Sequence, residues 1–199
     1  MSREPIDPGA VARALGEPLG EAVADGQARI DPVDVPGVEQ TIVWRVRDEL
    51  SDHPWQVYVG RWPDGDIRIL SAEQEAWADL VAAAGGARLE GADEARAYVA
   101  TFLEVTRGTM VIVAPIKSLD ELRWRPGSDD EEKAKTALLD DPPDVAPVSE
   151  ATDDGFHVEL TLVVDRRLQR NSFEVARDGE IKRSSFKILA ERLPLPIAR

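Results

Sequence analysis

Residues 156–189 read FHVELTLVVDRRLQRNSFEVARDGEIKRSSFKIL. Three runs of alternating apolar and polar residues follow one another, separated only by Asp165-Arg166-Arg167 and Arg177-Asp178-Gly179. Connections this short predict neighbouring antiparallel strands, because a parallel return needs a dozen or more residues. On the first strand Val158, Leu160, Leu162 and Val164 share one face, and on the second Phe173 and Val175 do. On the third, Ile181 and Phe186 are an odd number of positions apart, so strict alternation sends them to opposite faces. One extra residue, placed at Ser184-Ser185, returns both to the core as a β-bulge.

Directly before this meander, residues 126–155 change character. Asp129, Asp130, Glu131, Glu132, Asp140, Asp141, Asp144, Glu150, Asp153 and Asp154 oppose only Lys133 and Lys135. Glu131–Leu139 fits a short helix, and Asp140–Ser149, with its prolines, reads as extended loop. The whole is expected as an acidic insertion, long for a compact domain.

Further upstream, Gln40–Arg47 alternates, with Ile42, Trp44 and Val46 on one face. Trp55–Arg61 and Asp66–Leu70 flank Trp62-Pro63-Asp64-Gly65, a hairpin signal. Ser71 and Gln74 suggest a capping box opening a helix that stops at Gly85-Gly86. A second helix is expected over Ala92–Thr106, with Ala95, Tyr98, Val99, Phe102 and Val105 on one face. Thr109–Ala114 is an apolar β-branched run, read as a buried strand, and Ser118–Trp124 as a capped helical turn. Residues 1–38 hold five prolines and are expected as a loosely packed N-terminal arm.

This order predicts an α+β chain. Residues 39–199 are expected as a single domain in which a curved antiparallel sheet of about six or seven strands carries two main helices on one face, with the acidic insertion at 126–155. Such a sheet cupping helices resembles a cystatin-like or NTF2-like roll in outline, with no residue motif to carry family membership.

Composition bounds the function more than it identifies it. The 199 residues are 43% hydrophobic and 31% charged, as expected of a soluble globular protein. Cysteine is absent, which leaves no disulfide, thiolate ligand or thiol nucleophile. No signal-like start and no long apolar run are present, so a cytoplasmic location is expected. Arginine greatly outnumbers lysine and alanine is abundant, as expected of a high-GC bacterial composition. Net charge is −14, split unevenly: residues 156–199 hold nine Lys+Arg against six Asp+Glu, and residues 1–155 hold 15 against 32. Such acidity argues against nucleic acid and anionic membranes as partners and favours either solubility alone or a basic protein partner.

Candidate chemistry is sparse. His157 can be read as a general base or as a surface histidine at a strand end, and His53 lies in a loop before Pro54. Two histidines without cysteine argue against zinc, and Asp129-Asp130-Glu131-Glu132 lacks the spacing of a calcium loop. Neither a metal nor a cofactor is expected, nor is an assembled catalytic set. Trp62, beside Pro63, is taken as exposed and available to a partner. Parity puts Arg170, Arg183 and Lys187 on the solvent face of the meander, where they can meet an acidic partner or the chain's own acidic insertion. A non-catalytic interaction module is therefore expected, an immunity or antitoxin protein or a secretion chaperone, with Trp62, Asp129, Asp130, Glu131, Glu132, Asp140, Asp141, Arg170, Arg183 and Lys187 as its contact residues. The rival expectations are a pocket between sheet and helices that binds or transforms a small molecule, and a structural subunit with an exposed apolar patch.

Overall fold

The computed structural model describes residues 5–48, 54–107 and 113–195. They form the expected α+β arrangement of curved antiparallel sheet and helices, with strands shared between a four-stranded and a five-stranded sheet. Two compact units hold them. The first takes the described residues within 1–89 and 101–109, the second those within 90–100 and 110–199. Among the described residues no helix is long and apolar enough to cross a membrane.

In the first unit, α1 (Pro8–Leu15) and α2 (Leu19–Ala24) precede β1 (Arg29–Val33), β2 (Val43–Asp48), β3 (Trp55–Arg61) and β4 (Ile67–Ile69), which pair antiparallel in chain order. Trp44, Val46, Val57 and Val59 form the sheet's apolar face and bury Ile6, Val11, Leu15 and Val23. The proline-rich start is therefore core rather than a loosely packed arm. Pro8 begins α1, where no N–H partner is needed, and the Asp7 carboxylate accepts from Gly9 N at 2.9 Å as its cap. Gly20 lets α2 touch α1, since a Cβ there would lie 2.2 Å from the Ala12 carbonyl oxygen. Pro32 is tolerated because β1 is an outer strand.

The β3–β4 turn closes as the sequence suggests, with Trp62 N donating to Asp66 O at 2.9 Å and Gly65 at φ 88°. Helix α3 (Gln74–Ala83) starts later than a Ser71 cap implies, because the Ser71 hydroxyl instead accepts from Tyr58 N at 2.9 Å. Its end is marked by Gly85 and Gly86, both at positive φ. Helix α4 (Ala92–Thr106) matches its expected bounds and buries the expected face.

The second unit holds β5 (Val113–Ile116), a short 3-10 helix capped by Ser118, α5 (Asp129–Asp140), β6 (Val148–Thr152), β7 (Gly155–Val164), β8 (Arg167–Ala176) and β9 (Ile181–Ala190). Of the expected strand Thr109–Ala114, residues 109–112 lie outside the described ones. β7 and β8 pair along their whole length, from Gly155↔Ala176 to Val164↔Arg167. One face of this ladder carries Phe156, Val158, Leu160, Phe173 and Val175, all buried. On the other face Ile116, Leu168, Leu193 and Leu195 join Leu122 and Leu138 in a second apolar cluster beneath α5.

The third strand departs from expectation in an informative way. Val175 pairs with Ile181 and Glu174 with Arg183, so the extra residue is Lys182 rather than Ser184-Ser185. Phe186 lies opposite Asn171, on the same face as Phe173, yet it is 64% exposed, and Ile188 is 41% exposed. Parity was right and burial was not, because β9 is the sheet's outer strand. The insertion at 126–155 is also more ordered than a loop, contributing α5 and the strand β6.

Where β7 begins it presses on β8. A Cβ at Gly155 would lie 2.1 Å from the Val175 carbonyl oxygen. Gly155→Ala is expected to cost about 1–3 kcal/mol through this overlap, measured as a lowered urea midpoint. Unchanged stability would contradict the close approach.

Candidate functional site

Three arginines fasten the acidic segment, Arg166 and Arg170 from the β7–β8 hairpin and Arg125 from the chain just before the segment. Glu131 is the centre of one fastening. Its carboxylate accepts from Arg166 at 2.5 Å, from Arg125 at 2.8 Å and from Ser128 N at 2.7 Å. The Ser128 hydroxyl returns the bond to Glu131 N, completing a capping box at the start of α5. Arg125 also donates to the Leu195 carbonyl at 3.0 Å, tying the C-terminal tail to the same point. The backbone N–H of Ser128, followed by the two guanidinium groups, holds the Glu131 carboxyl down at about 2. Beside it lies an open cavity of about 770 Å3, lined by charges of both signs, among them Asp130, Arg166, Arg167 and Glu191.

The second fastening is Arg170. It bonds Glu159 at 2.6 Å and reaches the carbonyls of Asp144 and Ala146 at 3.1 and 3.0 Å. On the same face, His157 Nδ1 lies 2.7 Å from Glu174 and Nε2 lies 3.3 Å from Glu159. The bond to Glu174, and then that to Glu159, raises the His157 pKa against the opposing effect of burial. Arg170 is the leading cause that lowers Glu159. Both carboxylates thus favour the protonated imidazole. The Ser172 hydroxyl donates to Glu159 at 3.2 Å, so this carboxylate stands between Ser172 and the ring.

The expected contact residues fall into separate groups. Trp62 is 8% exposed, with the Arg68 guanidinium 4.7 Å above its ring, so its reading as an exposed contact is corrected. Glu131 is buried and committed to internal bonds, which removes it from the surface set. Its Ser-x-x-Glu spacing from Ser128 was the signal that could have shown this. Arg170 is half-buried and faces the chain's own segment rather than open solvent. Asp129, Asp130, Asp140 and Asp141 are exposed, and Glu132 is half-buried. Lys187 is exposed on β9, while Arg183 pairs with Glu174 in register and its side chain lies outside what is described, as does His53.

One polar grouping had no sequence signal, since it forms across three strands. Asp31 receives Arg29 at 2.7 Å and Arg47 at 3.3 Å, with Arg45 at 3.9 Å. On the same face of that sheet the Tyr58 hydroxyl donates to Glu104 and accepts from Gln56 at 2.7 Å. Burial, then the Glu104 bond, raises the Tyr58 pKa. Among the described residues no group of three or more acidic or histidine side chains is placed to hold a metal. Trp44 and Trp77 are almost completely buried. Comparison with family models, curated proteins and solved structures finds no match.

Two titrations test the fastenings. The Glu131 pKa is depressed from 4.5, so its contribution is present above that value and is lost as pH falls towards about 2. Glu131→Gln is expected to flatten acid unfolding over this window. The His157 pKa is raised from 6.5, so its contribution is present below 6.5 and fades as pH climbs through the folded value. His157→Gln is expected to remove that alkaline loss, read as melting temperature against pH. Profiles identical to the parent's would show that these groups carry no linkage.

Proposed function

We propose that this chain is a non-catalytic interaction module that binds a basic protein partner through its acidic surface, in the manner of an immunity or antitoxin protein or a secretion chaperone. The observation that carries this reading is how the acidic segment is fastened. Arg125, Arg166 and Arg170 are used up on one buried carboxylate, on Glu159 and on backbone carbonyls. The outer carboxylates Asp129, Asp130, Asp140, Asp141, Glu150, Asp153 and Asp154 are left facing solvent on a held scaffold. A field of one sign on an ordered surface steers an oppositely charged protein and fixes its register. The composition supports an acidic bacterial protein of the cytoplasm.

The test uses the immobilised full chain and a lysate of its source cells. A stoichiometric basic protein is expected at low salt and is expected to elute at about 0.5 M salt, where screening is short-ranged. A chain carrying Asp140→Lys, Asp141→Lys and Glu150→Lys keeps the internal fastenings and is expected to lose about tenfold in association rate. Recovery of no such protein at low salt, or capture unchanged by the three reversals, would overturn the reading.

A further inference from the structure

A second surface differs from the acidic one in both charge and shape. Among the described residues β9 pairs only with β8, so its other edge presents backbone N–H and C=O groups with no strand beside them. The β8–β9 ladder is irregular at Lys182 and again at Leu189, but regular from Arg183 to Ile188. Within or beside that regular window stand Phe186 and Ile188, both exposed, and only Leu139 joins them as a large exposed apolar side chain among the described residues. Lys182 and Lys187 are exposed too. Neither has an ion-pair partner among the described residues, whereas Lys133 and Lys135 pair with Asp130 and Glu132.

We infer that β9 is a docking edge that takes an extended segment of another protein as an added antiparallel strand, with apolar side chains alternating with carboxylates. Parity sets the pattern. Ser184, Phe186 and Ile188 share the face of Asn171 and Phe173, and Ser185 and Lys187 share the face of Ser172 and Arg170. Alternate residues of the incoming strand therefore lie against Phe186 and Ile188 on one face and meet Lys187 on the other. Ser184-Ser185 places neither bulk nor charge in the way. Charge complementarity selects the occupant. Two copies of β9 would bring the lysines of both chains together, while an acidic strand supplies the partners these cations lack. The inference is independent of the acidic-surface reading, because it uses another surface and the opposite charge.

The probe is a labelled peptide of about eight residues alternating valine and glutamate, set against its lysine counterpart and read by fluorescence anisotropy at low salt. The full chain is expected to bind the glutamate peptide at least about tenfold more tightly than the lysine peptide, with slowed amide exchange in β9. Phe186→Ser and Lys187→Glu alter exposed side chains, so the fold is retained, checked by circular dichroism. Together they are expected to weaken the glutamate peptide by about tenfold or more. No binding, equal binding of the two peptides, indifference to both substitutions, or protection confined to other strands would each overturn the inference. So would a concentration-dependent dimer in sedimentation that Phe186→Ser abolishes, which would assign the edge to a second copy.

Discussion

The full-length register between β7 and β8 is the constraint on which the second unit rests. It fixes the parity of one strand against the other, so a slip of one residue would put Phe156, Val158 and Leu160 on the face opposite Phe173 and Val175. The same register puts His157, Glu159, Arg170, Ser172 and Glu174 on one face, where each finds a partner. Gly155, tight against Val175, anchors one end of it. Apolar burial on one side and polar pairing on the other thus follow from a single alignment.

Above that alignment the acidic segment is fastened at two places by different means. Glu131 receives two guanidinium groups and a backbone N–H, while Arg170 spans from Glu159 to the carbonyls of Asp144 and Ala146. Removing one partner from such an arrangement leaves the others unpaired, which is why the fastenings act as units. The exposed carboxylates of α5 take no part in them beyond a pair such as Asp130 with Lys133.

Much of the architecture was legible from periodicity and punctuation. The meander at 156–189, the hairpin around Pro63-Asp64-Gly65 and the helix Ala92–Thr106 all have strong local signals, and each is present. Local signals failed where tertiary context supplied the answer. Prolines near the N-terminus suggested an arm, but Pro8 is a helix start and Pro32 sits on an outer strand. β6 was invisible because Ser149, Glu150 and Thr152 carry no apolar alternation, and its pairing comes from β7. Phe186 lay on the predicted face but beyond what covers it, which no pattern of alternation can reveal. Of the expected contact residues, Glu131 and Trp62 proved internal, and the cross-strand grouping at Asp31 and Tyr58 had no linear signature.

The clasp of Arg170 on the Asp144 and Ala146 carbonyls has a thermodynamic corollary. A charged segment that freezes only on meeting its target surrenders chain freedom at that moment, and its affinity suffers accordingly. Here the freezing accompanies folding, so any ligand of the carboxylates encounters a preorganised template. Recognition of that kind shows itself as a small entropic penalty and a modest change in heat capacity, rather than the large negative signature of coupled folding.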